Sequence, residues 1–259
     1  MITVSIVSHG HGPMVVRLTE QFLALPQVSC VVVTLNIEEA LELPRDQRLR
    51  VIRNGMPRGF GANHNAAFEL CQTAFYCVAN PDIEIADDPF PALLLALKDP
   101  SAAVAAPLVR SPNGEIEDSW RRFPSPLDIA SKLLSPHKGT YSEATLDAMF
   151  EPDWAAGMFL LFKAKDYLAL GGFDEGYFLY YEDVDICARL RGRGHKVIGC
   201  TQTEIVHKAQ RASWRQWSYF SHHLESIWRY YTRDWRRVFP AILRRATRGT
   251  GRSRSRQTA

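Results

Sequence analysis

Thr3 to Leu35 reads TVSIVSHGHGPMVVRLTEQFLALPQVSCVVVTL, and it decides the fold. Thr3 to Val7 is rich in β-branched residues and predicts a strand, followed by the loop Ser8-His9-Gly10-His11-Gly12-Pro13. Val15, Leu18, Phe22 and Leu25 then recur at helical spacing until Pro26 ends the helix. Cys30 to Leu35 is a continuous apolar run, as found in strands buried on both faces of a parallel sheet. With a third strand at Leu49 to Arg53, the order predicts βαβ units. Ligands of such sheets lie beyond the C-terminal ends of the strands, where His9, Asn36 and Asn54 fall.

The next stretch, Asn54 to Asn65 (NGMPRGFGANHN), carries Gly55, Gly59 and Gly61 ahead of a helix expected from Ala62. Glycines there let a backbone approach phosphate, or simply form a flexible turn; the spacing is neither GxGxxG nor a Walker loop. Phe75 to Ala79 predicts a fourth strand running into Asn80-Pro81-Asp82, where Asp82 either meets a divalent cation or closes an Asx turn. A helix over Pro89 to Lys98, a strand over Ala103 to Val109 and a turn at Asn113-Gly114 follow. Ser131 to Asp153 loses periodicity and reads as a variable loop or a lid over a site. Trp154 to Lys163 reads as one buried strand, with Trp154 walling a space left by Ala155, Ala156 and Gly157, or packing in the core.

Gly171 to Arg189, GGFDEGYFLYYEDVDICAR, sets Asp174, Glu182, Asp183 and Asp185 among aromatic and apolar residues. Gly171-Gly172 predicts a turn, Phe173 and Phe178 to Tyr181 buried packing, and Glu182 to Arg193 a helix closed by Gly194. Asp183 and Asp185 then lie at the positive end of a helix, which favours anions. Crowded carboxylates carry a desolvation cost, so a ligand, a metal or a reaction is expected to hold them. Lys196 to Gly199 and Thr203 to Val206 predict two short strands, the second ending on His207, a surface histidine or a ligand.

The 259 residues suit one large α/β domain plus an appendage, with 46% hydrophobic and 23% charged residues and a formal net charge of +3. Five cysteines form no CxxC pair, so reduced core thiols are expected rather than a disulfide framework or zinc site. The N-terminus does not show a basic region followed by an apolar run, and no run is long enough to span a bilayer. A cytoplasmic protein is expected, at the inner face of the cytoplasmic membrane if its tail binds lipid.

Five pieces in this order, NGMPRGFGANHNAAF (Asn54 to Phe68), NPD (Asn80 to Asp82), RRFPSP (Arg121 to Pro126), GGFDEGYFLYYEDVDICARLRGRG (Gly171 to Gly194) and His207 with Ser213, are where the chain resembles the inverting family 2 glycosyltransferases, in their bacterial rhamnosyltransferase-like branch. The resemblance covers Val4 to about Ser213. It implies the GT-A fold, an α/β Rossmann-like architecture with a mostly parallel central sheet flanked by helices, over residues 1–215. It also implies Mg²⁺ or Mn²⁺ held by Asp82 and His207, with Asn80 standing where the family's first acid usually stands. By the same resemblance Asp183 is the catalytic base, with Glu182, Asp185 and Trp154 supporting the acceptor side. A nucleotide-sugar donor would meet Ser8, His9, Asn36, Asn54, Arg58, Gly59, Asn65 and Asn80. Thr34-Leu35-Asn36 departs from the family's usual Asp at the nucleobase. The implied activity is sugar transfer, rhamnose from dTDP-rhamnose, to a saccharide or polyprenyl-linked acceptor in surface polysaccharide and O-antigen assembly. A UDP-sugar transferase of the same fold and a catalytically silent nucleotide-binding scaffold are the alternatives.

Residues 216–259 form an aromatic and basic appendage. Trp228, Tyr231, Trp235 and Phe239 follow at near-helical spacing among Arg229, Arg233, Arg236 and Arg237, with Pro240 ending the pattern. This stripe suits an anionic membrane interface or docking on the domain's own core. Arg244 to Arg256 has no core-forming residues and is expected to be disordered, with no specific nucleic-acid contact.

Overall fold

The computed structural model describes residues 1–123, 147–208 and 224–234. Eleven strands and five helices are named among them: β1 (Ile2–Ser8), α1 (Pro13–Ala24), β2 (Val28–Leu35), β3 (Leu49–Arg53), α2 (Phe60–Phe68), β4 (Phe75–Ala79), β5 (Ile83–Glu84), α3 (Phe90–Ala96), β6 (Ala102–Arg110), β7 (Trp120–Arg121), β8 (Met149–Phe150), β9 (Trp154–Ala155), β10 (Phe159–Lys163), α4 (Ala164–Leu170), α5 (Glu182–Gly192) and β11 (Lys196–His207). The main sheet runs β3-β2-β1-β4-β10-β6-β11-β5, with β8 beside β11.

β3, β2, β1 and β4 are mutually parallel, as the apolar runs predict. β10 enters antiparallel to both β4 and β6, and β11 is parallel to β6. The C-terminal ends of β1, β2, β3, β4, β6 and β11 therefore share one edge, and the N-terminal end of β10 meets them there. The sheet is buried between two apolar layers. α1 and α3 cover one face through Val15, Leu18, Phe22, Phe90 and Leu93; α2, α4 and α5 cover the other with Tyr167, Val184, Ile186 and Leu190.

Several expectations change. Trp154 to Lys163 is two strands in different sheets, because the chain leaves the small β7–β9 ribbon at Ala156-Gly157 before β10 joins the main sheet. Conversely, Lys196 to His207 is a single strand, whose register shifts between Cys200 and Glu204 opposite Pro107. Proline has no N–H for the ladder, so the strand bulges past it. Helix α4 was not foreseen. The five cysteines are free thiols.

The two glycine-bearing motifs pack on each other. A Cβ on Gly59 would lie 2.7 Å from the Phe178 carbonyl oxygen, and one on Gly61 would lie 2.7 Å from Phe173 Cβ. Close approach in the Asn54–Asn65 stretch thus serves contact with the Gly171–Tyr181 loop. Gly172, at φ +72, could carry no side chain, since Asn65 Oδ1 occupies that space. Phe178 and Tyr180 are exposed rather than buried, and the backbone is left-handed at Tyr180 (φ 69) and Tyr181 (φ 70). Non-glycine residues hold that conformation at a cost of about 1–3 kcal/mol each, and such strain gathers at functional sites.

Residues 224–229 are helical and lead into a π-helical turn, Tyr230–Asp234. This segment docks on the domain: Tyr230 is fully buried, Ser226 donates to the Leu179 carbonyl, and Arg229 pairs with Asp174 at 2.9 Å. Trp228 faces solvent at 73% exposure. Trp235, Phe239, the arginine-rich tail, Ser213 and most of the expected lid lie outside the described residues.

Candidate active site

At the shared strand edge, Asp82 follows β4 and His207 ends β11. β11 pairs with β5 through His207↔Ile83, which sets the two side chains together. His207 Nε2 lies 3.2 Å from Asp82 Oδ2, and Nδ1 lies 2.7 Å from Glu117 Oε2. Burial by itself lowers the imidazole's proton affinity; hydrogen bonds and charge from Asp82 and Glu117 outweigh it, so the pKa is pushed up to about 9. For Asp82, burial pulls upward, but its hydrogen bond to His207 and the imidazole's charge hold the carboxyl below its usual value.

Asp82 Oδ1 is buried and has no hydrogen-bond partner. An orphaned carboxylate oxygen beside an imidazole is a donor set that fits a divalent cation. Among the described residues no three His, Cys, Asp or Glu side chains form a complete metal cage. The protein would supply two ligands, leaving the remaining positions to diphosphate and water, as is usual for Mg²⁺.

Asp183, half-buried in the first turn of α5, accepts hydrogen bonds from the backbone N–H groups of Gly157 (3.1 Å) and Val184 (2.8 Å). Gly157 precedes Met158, whose carbonyl accepts the Asn80 N–H at 2.9 Å. This chain of contacts ties Asp183 to the Asn80-Pro81-Asp82 turn at the same edge. Burial raises the Asp183 pKa, while the Gly157 and Val184 hydrogen bonds and the charge of Arg121 oppose that rise. A carboxylate of raised proton affinity is a better base.

The neighbouring acids have other environments. Glu182 is buried, Oε2 has no partner, and desolvation followed by the Asp183 charge lifts its pKa well above normal. Asp185 is fully buried and bonded to Arg189 at 2.7 Å, while Arg189 also donates to the carbonyls of Leu170 and Gly172. Through Arg189, Asp185 braces the Leu170 to Gly172 turn that opens the loop leading to Asp183. Trp154 is buried, its indole N–H donating to the Arg122 carbonyl and its ring covered by the Arg121 guanidinium.

Beside the ends of β2 and β3, Asn36 Oδ1 accepts from the Arg58 N–H and from Asn54 Nδ2, both at 2.8 Å, and its Nδ2 contacts the Arg58 carbonyl and His9 Nδ1. Asn63 completes the carboxamide network through Asn54 and the carbonyls of Arg58 and Gly59. The network pins the loop of Arg58 and Gly59 against the ends of β2 and β3. Ser8 donates to Glu39 at 2.6 Å, and the same carboxylate accepts from the N–H groups of Gly10 and Gly12. Asn65 stands apart: it binds the Tyr167 hydroxyl, both backbone groups of Phe173 and the Glu175 carboxylate. Asn80 presents a half-exposed side chain beside Asp82.

Sequence reasoning missed Glu39, Asn63 and Glu117. Asn63 lies in the quoted Asn54–Asn65 motif and Glu117 three residues past the Asn113-Gly114 turn, so both carried a local signal; Glu39 follows β2 without one.

Residues 34–173, more than half of the chain, match the family described as Glycosyl transferase family 2. Rhamnosyltransferase WbbL of Escherichia coli (strain K12) is 29% identical over 247 residues, 90% of this chain and 93% of that protein. N-acetylglucosaminyl-diphospho-decaprenol L-rhamnosyltransferase of Mycobacterium tuberculosis (strain ATCC 25618 / H37Rv) is 31% identical over 147 residues, 53% of this chain and 48% of that protein, so the match spans about half of that relative. Among solved structures, GalNAc-T7 with UDP, GalNAc and Mn²⁺ superposes with a TM-score of 0.64 at 14% identity, over 82% of this chain and 44% of that one. The mannosyltransferase PcManGT from Pyrobaculum calidifontis, in complex with GDP-Man and Mn²⁺, gives 0.56 at 14% identity over 96% and 75%. These likenesses establish the GT-A architecture. The family match, from the end of β2 through α4 and over more than half of the chain, places this chain in glycosyl transferase family 2.

Proposed function

We propose that the chain is an inverting, metal-dependent transferase that moves rhamnose from dTDP-rhamnose to a saccharide or polyprenyl-linked acceptor in surface polysaccharide assembly. The observation that carries this reading is the strand-edge pairing of Asp82 with His207, its Oδ1 left without a partner, linked through Asn80, Met158 and Gly157 to Asp183. The sugar follows from rhamnosyltransferases being among the relatives.

Transfer poses a charge problem on each face of the anomeric carbon. Asp183 takes the proton of the acceptor hydroxyl as that oxygen bonds to the anomeric carbon; the bond to the diphosphate oxygen breaks on the opposite face, inverting the centre. Backbone N–H groups of Gly157 and Val184 fix the carboxylate, and burial raises the proton affinity of the adjacent Glu182. A divalent cation held by Asp82 and His207 would neutralise the departing diphosphate. The Asn36, Asn54 and Asn63 network holds Arg58 and Gly59 at the donor edge, with Ser8, His9 and Asn80 around them. Asn65 supports the site by clamping Phe173, and Trp154 by packing beneath Arg121.

The test is a thermal-shift panel of dTDP, UDP and GDP, each with and without Mn²⁺. Stabilisation by dTDP that depends on Mn²⁺ is expected, about 2.7 kcal/mol at a hundredfold excess over Kd. A response to UDP alone would move the reading to a UDP-sugar donor, and no response to any nucleotide would overturn it. The exposed Trp228 and the basic tail support a peripheral contact with anionic membrane, where a polyprenyl-linked acceptor would lie.

A further inference from the structure

Glu117 is not in any of the motifs that mark the family resemblance, yet it makes the shortest contact to His207. It arrives there through a hairpin. β6 runs to Arg110, the chain turns through Ser111 to Gly114, and Ile116 bridges back to Arg110. The Glu117 N–H then donates to the Val109 carbonyl at 2.8 Å, which fixes the residue beside the end of β11. Its carboxylate oxygen lies 2.7 Å from His207 Nδ1, and the imidazole's other nitrogen faces Asp82 at 3.2 Å.

A carboxylate only accepts, so the proton in the 2.7 Å contact sits on Nδ1. The 3.2 Å contact with Asp82 puts a second proton on Nε2 in the metal-free protein, and a cation bound there would displace that proton and take the Nε2 lone pair. Metal-bound histidines commonly donate their second N–H to a carboxylate, which fixes both tautomer and ring orientation. We propose that Glu117 is the positioning residue for His207, holding Nε2 toward a divalent cation shared with Asp82. This rests on the divalent-cation reading given above and assigns a role to a residue outside the ligand set itself.

The test is Mn²⁺ binding by the full chain, measured as loss of the free-ion EPR signal, so no sugar transfer is needed for the readout. Glu117→Ala should weaken Mn²⁺ binding by about 10–100-fold. Glu117→Gln, whose amide oxygen can still accept from Nδ1, should lose less. The double variant Glu117→Ala/His207→Ala should bind no more weakly than His207→Ala alone, because a positioning residue has nothing left to position. A nitrogen-15 spectrum of the Mg²⁺-loaded chain should place the His207 proton on Nδ1, and that preference should vanish in Glu117→Ala.

Wild-type affinity in Glu117→Ala, or additive losses in the double variant, would overturn the role of Glu117 while leaving the cation reading intact. Failure of the wild-type chain to bind Mn²⁺ would remove both. A fall in thermal midpoint with unchanged Mn²⁺ affinity would show that Glu117 only braces the hairpin, and would also overturn the assignment.

Discussion

Removing the cation at His207 should expose a pH dependence whose sign and size follow from the site. The imidazole sits between two carboxylates with its pKa pushed up from 6.5 to about 9. The folded state therefore keeps a proton that the unfolded chain releases near pH 6.5. Stability from this group is fully present below pH 6.5, declines as pH rises, and is gone above about 9. A rise from 6.5 to about 9 corresponds to about 3 kcal/mol. The His207 and Asp82 side chains are each only 14% exposed, so solvent screens the pair weakly. The lowered Asp82 pKa reports the same pair seen from its partner, and the two contributions are not added. The assay is urea unfolding of chelator-treated protein at pH 6, 7.5 and 9.5, for wild type and His207→Asn. Subtracting the variant's profile removes other titrating groups. The difference should shrink by about 3 kcal/mol between pH 6 and 9.5. A difference that is flat, or that grows with pH, would refute a histidine cation held between Asp82 and Glu117.

Gly61→Ala should destabilise the fold by about 1–3 kcal/mol by urea unfolding, because the new methyl meets the anchored Phe173 Cβ at 2.7 Å; this outweighs the gain of about 1 kcal/mol in helix propensity. His64, fully buried with Ser5 on Nδ1, has its pKa driven down to about 3 by desolvation. Unfolding therefore takes up a proton below pH 6.5, and wild-type stability should fall by about 1.4 kcal/mol per pH unit from there toward pH 3, a slope missing from His64→Gln. Trp228→Ala should leave stability to urea within about 0.5 kcal/mol of wild type, since the ring is exposed, but should reduce flotation with anionic liposomes. Unchanged flotation would count against the membrane contact.

The parallel half of the sheet was legible because CVVVTL and its neighbours bury both faces, which few other structures permit. The acidic helix was legible for a similar reason: Glu182 to Asp185 precede a buried stripe and a closing glycine. What stayed hidden was partnership across the chain. Nothing local tells that Gly59 and Gly61 make room for Phe178 and Phe173, or that Asn36 and Asn54 spend their amides on each other and on Arg58. Outward-turned Phe178 and Tyr180 were missed because apolar side chains normally predict burial, and left-handed backbone at two tyrosines has no sequence signature. The bulge of β11 opposite Pro107 was hidden for the same reason: the break after Gly199 reads as the end of a strand, and the proline that causes the register shift lies in another strand.

The central claim is that Asp183 is the base in a site whose donor end is marked by Asp82 and His207. Release of dTDP from dTDP-rhamnose, compared between wild type and Asp183→Asn, tests it most directly. Loss of at least about 100-fold in rate is expected, within the usual range for a general base, with dTDP affinity retained because the Asp82 and His207 end is untouched. Wild-type turnover by Asp183→Asn would contradict the account.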